Sequence, residues 1–183
     1  MTDWLSQTPQ ELARRLIGAT LTLDGVGGIV VETEAYDADD PASHSFSGPT
    51  ARCSAMFGPV GRTYVYRAFG LHWCLNLVCG SRPGGAVLLR VLEPVEGVDQ
   101  MIIRRGLIDI RRLAAGPGRL CQALGVDARH NNRDMTALPF NLTLSPTPTQ
   151  AVSGPRIGIS KAVDQPWRYG LPSSPYLSPP FMG

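Results

Sequence analysis

Two carboxylates and a phenol recur at every second position of residues 29–36, IVVETEAY. Ile, Val, Thr and Tyr fit a pleated, half-buried surface, so this stretch predicts a strand. Side chains alternate along a strand, which puts Glu32, Glu34 and Tyr36 on one face and Val31, Thr33 and Ala35 on the other. The apolar face must be buried; the polar face is then a solvated surface or a site. Further along stand His44, Tyr66, Asn76 and Arg90. A carboxylate such as Glu34 can take a proton from water as a general base. Two tyrosines and a histidine can sandwich a flat ring by stacking. An amide such as Asn76 can test the edge of that ring by hydrogen bonding or by clash. Arg90 interrupts the apolar run 86–92, AVLLRVL, which has the composition of a fully buried strand. An arginine there needs a carboxylate or a phosphate, because an unpaired buried charge is very costly. Glu34 or a nucleic-acid phosphate is the natural partner.

The elements that must position these groups follow from local signals. Thr8, Pro9 and Glu11 form a capping box with proline at the first helical position. Leu12, Leu16 and Ile17 then line one helix face, and Gly18 ends it. Residues 20–23 predict a short strand, and Asp24-Gly25 with Gly27-Gly28 predicts the turn of an antiparallel hairpin into the 29–36 strand. Asp37, Asp39 and Asp40 make a turn whose pattern is incomplete for calcium. The Gly/Pro-punctuated loop that follows to Gly61 carries Thr50, Arg52 and Met56, and loops of this length are usually functional or mobile. Residues 63–68 and 71–78 predict two aromatic-rich strands joined at Phe69-Gly70. Tyr64, Tyr66 and Ala68 share a face, as do His72, Cys74 and Asn76. A projecting tip makes Phe69 an exposed apolar wedge; a covered tip makes it core. Residues 95–112 predict one helix, with Met101, Ile102 and Ile103 inside and Arg104, Arg105, Arg111 and Arg112 outside. Gly116-Pro117-Gly118-Arg119 leads into a second helix, 120–124. N–H groups at such a start, with Arg119, suit a phosphate, although a plain tight turn has the same local sequence. Residues 141–144 and 156–160 predict strands, and the Pro/Ser-rich end from Pro172 predicts coil. With no repeat and no linker, residues 1–183 read as one domain.

Length and composition narrow the class. The chain has 183 residues, 43% of them hydrophobic, enough for one sizeable core. No apolar run approaches the ~20 residues that span a bilayer, and the polar N-terminus has no signal-peptide pattern, so a cytosolic protein is expected. Cys53, Cys74, Cys79 and Cys121 match neither C-x-x-C nor a zinc spacing and read as small core residues. Net charge is +2 but uneven: residues 1–40 hold eight acids against two arginines, and residues 41–92 hold five arginines and no acid. That asymmetry suits a polyanionic ligand held by one part and worked on by another. On charge alone, a solvated surface is the simpler reading. Lys161 is the only lysine, so Schiff-base chemistry has few candidates.

Glu34, Tyr36, His44, Tyr66, Asn76 and Arg90, with a wedge at Phe69, are the parts needed to extract a nucleobase and cut its glycosidic bond. The chain also carries VETEAY, Ala-x-His-Ser, Met-Phe-Gly-Pro, YVYxxxG followed by HWCLN, AVLLRVLEPVEG and GPGRLCQALGV, in that order. This series resembles the alkyladenine (3-methyladenine) DNA glycosylase family, from about Leu12 to about Ser178. The resemblance implies an α+β fold: a single mixed domain with a curved antiparallel β-sheet, flanking helices and a protruding β-hairpin. It implies no metal and no organic cofactor. It implies a monomer acting on double-stranded DNA containing damaged purines, with no membrane, in a bacterial cytoplasm among nucleoid DNA. Glu34 aligns with the general base and Arg90 with the arginine that holds it. Tyr36, His44 and Tyr66 align with residues that grip the flipped base, and Asn76 with the residue that disfavours guanine. Phe69 aligns with the intercalating residue, often tyrosine, whose hydroxyl it lacks. Thr50, Arg52, Met56, Gly118 and Arg119 align with contacts to the DNA backbone. Two rival readings remain. Glu32 and Glu34, roughly 6.5–7 Å apart on a strand, overlap the separation of an inverting glycosidase pair. Alternatively, the chain binds lesions without cutting.

Overall fold

The computed structural model describes residues 3–177, 179 and 181; Ser178, the far limit of the motif match, lies outside them. In chain order the elements are α1 (Pro9–Arg15), β1 (Thr20–Leu23), β2 (Val26–Tyr36), β3 (Thr63–Ala68), β4 (His72–Cys79), β5 (Gly85–Glu96), α2 (Val98–Arg105), α3 (Ile110–Leu113), α4 (Pro117–Leu124), β6 (Phe140–Thr143), β7 (Val152–Gly154) and β8 (Arg168–Gly170), with short 3-10 turns between some of them. The strands form one curled antiparallel sheet in the order β3-β4-β5-β2-β1-β6, with β8 added to β2 and β7 to β8. This is the expected α+β domain with a curved sheet. β2 is its centre. β5 follows one edge of β2, while β1 pairs with its first part (26–29) and β8 with its later part (32–34).

The N-terminal signals translate directly. Thr8 Oγ1 accepts from the Glu11 N–H at 3.3 Å, and Glu11 Oε2 accepts from the Thr8 N–H at 3.0 Å. α1 then lays Leu12 and Ala13 into the core, with Leu16 and Ile17 just beyond it. Asp24 and Gly25 both have positive φ (50° and 75°), as a two-residue hairpin turn requires. Gly27 and Gly28 are not part of that turn. They lie inside β2, where a Cβ would run into the backbone of β1 and the Glu93 carbonyl.

Three further expectations fail. The single helix over 95–112 is two. β5 runs on to Glu96, Gly97 turns left-handed (φ 62°), and Gly106 (φ 63°) ends α2 before Asp109 caps α3. Met101 is buried as expected, but Ile103 is 70% exposed. α4 begins at Pro117 rather than Leu120, with proline at its first position. Residues 156–160 form no strand, because Arg156 turns inward to a buried ion pair with Asp40. The pairing there falls to β7 and to β8, which composition does not announce. Residues 172–177 carry no helix or strand, as expected, and part of the Pro/Ser-rich end lies outside the described residues.

All four cysteines are free and buried. Burial pushes the Cys79 thiol up to about 12 and raises those of Cys74 and Cys121 as well. Among the described residues no helix is long and apolar enough to cross a membrane.

Candidate active site

The site is built on an irregularity in the sheet. Between β2 and β5 the register runs Val30↔Leu92, Glu32↔Val91, Thr33↔Leu89, which leaves Val31 on one strand and Arg90 on the other without an opposite residue. Such bulges re-aim the side chain they carry. Arg90 is thereby brought into the sheet's polar pocket, with 7% of its side chain exposed. Its carbonyl accepts from Gly116 N–H at 3.1 Å, just ahead of α4.

Arg90 serves two carboxylates. Its Nε donates to Glu32 Oε1 at 2.7 Å, and its Nη1 lies 3.3 Å from Glu34 Oε1. Glu32 Oε1 also accepts from Arg168 Nε at 2.8 Å. The expected partner of Arg90 was Glu34 or a phosphate; the shorter bond goes to Glu32. Glu34 accepts from the Tyr36 hydroxyl at 2.8 Å through Oε2 and from the Ile157 N–H at 2.7 Å through Oε1. A carboxylate has about four lone-pair sites. Three of Glu34's face donors, leaving one on Oε2. Burial first, and Glu34 second, raise the Tyr36 phenol above its ordinary range, so the hydroxyl remains a donor.

Above Glu34 opens a cavity of roughly 770 Å³. Its walls include Glu34, Tyr36, His44, Tyr66, Asn76 and Arg90, so the six residues singled out by type and spacing meet in one place. Glu34 borders the cavity yet is 0% exposed, which screens it from bulk water. Tyr64 and Tyr66 stack at 5.3 Å between centroids, and the His44 ring meets Tyr66 edge-on at 4.6 Å. His44 Nδ1 lies 2.9 Å from the Tyr64 hydroxyl. Burial first, then Arg52, lowers the His44 pKa, and burial holds the Tyr64 phenol at about 12. A neutral imidazole thus hydrogen-bonds a neutral phenol, which fixes the ring. Asn76, opposite Tyr64 across the strand pair, donates through Nδ2 to the Tyr64 carbonyl at 2.9 Å. Its oxygen is left as the variable group.

Other candidates sort by position. Phe69 stands at the hairpin tip, 91% exposed with φ 52°, and borders the cavity mouth. The tip projects, and Leu71 beside it is 71% exposed. Arg52 also borders the mouth, its guanidinium 5.3 Å over the Tyr66 ring. Met56 is only 2% exposed and its N–H bonds the Cys53 carbonyl; it is cavity wall, with no free N–H for a phosphate. Thr50 lies outside the cavity lining, its hydroxyl accepting from the Cys53 N–H. Gly118 and Arg119 lie in the first turn of α4, next to the cavity residue Pro117. A Cβ on Gly118 would stand 2.8 Å from the Cβ of His72, so glycine lets α4 approach the hairpin. Asp37 and Asp39 pair with Arg82, and Asp40 with Arg156, so all three aspartates of that turn engage arginines.

Sequence reasoning missed several contributors. Tyr64 shares a strand face with Tyr66, and that signal was available. Ile157 acts through its N–H, which no side-chain pattern reveals. Arg156 bonds Asp40 and the Ala35 carbonyl and lies 4.7 Å over the Tyr36 ring, bracing both Tyr36 and the neighbouring Ile157. Glu32 is outside the cavity lining and bonds two arginines, so a glycosidase pair made of Glu32 and Glu34 lacks its second acid.

The family described as methylpurine-DNA glycosylase matches residues 3–175. A protein of Nitrosospira multiformis is 56% identical over 177 residues, covering 96% of this chain and 92% of that one. One from Rhizobium etli is 53% identical (93% and 84% covered), and one from Rhodopseudomonas palustris strain HaA2 is 50% identical (97% and 89% covered). All three carry 3-methyladenine DNA glycosylase as a provisional name.

Proposed function

The chain belongs to the methylpurine-DNA glycosylase family, hydrolases of the N-glycosidic bond, and we propose that it releases alkylated or deaminated purines of the 3-methyladenine, hypoxanthine and ethenoadenine type from duplex DNA. In this reading the damaged nucleotide leaves the stack and enters the cavity. Phe69 fills the space it vacates. The purine packs against Tyr36, His44 and Tyr66, and Asn76 disfavours the 2-amino group of guanine. One water takes the remaining site on Glu34 Oε2. Glu34 takes a proton from that water, and its oxygen attacks C1′ of the deoxyribose. The glycosidic electrons leave with the base: 3-methyladenine, bound to the sugar as a cation, departs neutral, while hypoxanthine or ethenoadenine takes up one proton from solvent as Glu34 releases its own, and an abasic site remains. Arg90 holds Glu34 and does not titrate, since its two carboxylate neighbours outweigh the opposing effect of burial and raise its pKa.

The observation that carries this reading is one cavity with a triply held carboxylate in its wall and an exposed phenylalanine at its mouth. The test is a single-turnover excision assay on duplexes carrying hypoxanthine, 3-methyladenine, ethenoadenine or 7-methylguanine. Glu34→Gln keeps lesion binding and loses about 10²–10⁴ of the release rate, the usual contribution of a general base. Release at the parental rate from that variant would sink the assignment. A lesion-binding module without chemistry predicts no release from the parent protein.

A further inference from the structure

The arginines divide into those paired with a carboxylate and those that are not; among the described residues Arg14, Arg15, Arg52, Arg62, Arg67, Arg111 and Arg133 stand in the second group beside others from α2, α3 and α4. Arg82, Arg90, Arg129, Arg156 and Arg168 each pair with a carboxylate. Arg104, Arg105, Arg112 and Arg119 have no ion pair among the described residues. Arg104 donates to the Ala123 carbonyl at 2.9 Å, Arg105 to the Leu113 carbonyl at 2.9 Å and to Gln122, and Arg119 to the Ala115 carbonyl at 3.2 Å. These bonds fix the stems and leave the charges unneutralised. Gln122 lies three residues after Arg119 in α4, so the two share a helix face. Arg105 reaches that face from α2, and its other bond is to the residue after Arg112. Three guanidiniums therefore converge on one surface. Burial first, then Arg119 and Arg112, lower the Arg105 pKa, the mark of like charges crowding one another.

This surface is continuous with the site. Pro117, the first residue of α4, borders the cavity, and Gly118 abuts His72, which pairs with Ala68 next to the hairpin tip. On the hairpin's other strand Arg52 donates to the Arg67 carbonyl, so guanidiniums flank the projecting tip from both sides. Crowded cations without carboxylates suit a polyanion with closely spaced charges. Duplex DNA offers one about every 1.7 Å of axis. We propose that Arg105 and Arg112, with Arg119, form a track for backbone phosphates of the duplex beyond the damaged nucleotide, extending the footprint past the hairpin on its α4 side. The proposal rests on the chain acting on duplex DNA, and on neither Glu34 chemistry nor the Phe69 wedge.

The test compares two duplexes with the same central abasic-site analogue, one of about 9 and one of about 25 base pairs, by fluorescence anisotropy against salt. Each phosphate contact contributes about 0.9 to the slope of log K on log salt. Arg112→Gln, whose side chain makes no hydrogen bond or ion pair among the described residues, lowers the slope by about one unit on the long duplex and leaves the short one unchanged. Arg105→Gln does the same, and Arg105→Lys restores the slope. Melting temperature of Arg112→Gln stays at the parental value, which keeps the result readable if Arg105→Gln folds poorly. An unchanged slope on the long duplex for Arg112→Gln, or an equal change on both lengths, overturns the track. Phe69→Ala weakens both duplexes alike. If it does not while Arg112→Gln acts on the long duplex, the wedge fails and the track stands.

Discussion

Replacing Glu32 by glutamine separates the support of the site from its chemistry. Glu32, Glu34, Arg90 and Arg168 are linked, Glu32 to both arginines and Arg90 to both carboxylates, with side chains 0%, 0%, 7% and 5% exposed. Glutamine keeps the shape and one carbonyl oxygen, so Arg90 and Arg168 retain an acceptor. What is lost is one charge, leaving Arg168 with no carboxylate partner and Arg90 with Glu34 alone. Removing one partner of a buried pair costs about 3–5 kcal/mol. Because the geometry survives, the lower end applies, about 3 kcal/mol. At about 2–4 °C per kcal/mol for a domain of this size, Tm falls by about 6–12 °C. Arg90 also loses its firmer anchor, so release falls by about tenfold, well short of the Glu34→Gln effect of about 10²–10⁴. Thermal denaturation followed by single-turnover excision at a temperature where both proteins are folded reads the two quantities separately. An unchanged Tm would show that the group is not held by its charges. A loss of release as large as that of Glu34→Gln, at unchanged Tm, would return Glu32 to the chemistry.

Further outcomes follow from the same geometry. Phe69→Ala changes a residue 91% exposed, so Tm stays within about 0.5 kcal/mol of parental stability. Lesion-duplex affinity falls by about 10–100-fold, because a buried phenylalanine is worth about 1.5–3 kcal/mol; unchanged affinity refutes insertion. His44 has a folded pKa below its ordinary value. Its neutral ring therefore contributes fully above that ordinary value, and the contribution is lost as pH falls through the lower folded value, where the ring takes on a charge that burial and Arg52 disfavour. Lesion affinity measured against pH weakens over that acidic window, and His44→Gln flattens the change; identical profiles count against the role. Gly118→Ala puts a methyl 2.8 Å from His72 Cβ. Such overpacking costs about 1–3 kcal/mol, lowering Tm by several degrees, and parental stability would show that α4 and the hairpin part freely.

The fold and site were legible wherever one residue's neighbours in sequence determine its place. The capping box at Thr8, the turn at Asp24-Gly25 and the shared face of Tyr64 and Tyr66 all follow from spacing. So does the shared face of Glu32, Glu34 and Tyr36, since the irregularity beside Thr33 falls on β5 and leaves the alternation of β2 intact. Long-range pairing was not legible. Nothing near Arg168 says that it reaches Glu32, 136 positions away, or that Arg156 reaches Asp40 across 116. The split at Gly106 was missed because an apolar run with flanking arginines reads as one amphipathic helix unless the glycine is weighed as a C-cap. Residues 168–170 join the sheet through edge space left on β2, which is a property of the assembled sheet and not of those three residues.

The buried thiols carry a consequence for the conditions under which such a chain works. Reagents that methylate purines are electrophiles, and within proteins the group they capture fastest is the thiolate. An ordinary cysteine is a few per cent thiolate at pH 7. With its thiol at about 12, Cys79 is about one part in 10⁵ thiolate. Cys74 and Cys121 are shifted the same way, and Cys53 is 1% exposed. The sulfur nucleophiles of this scaffold are thus withheld from an alkylating reagent that reaches it.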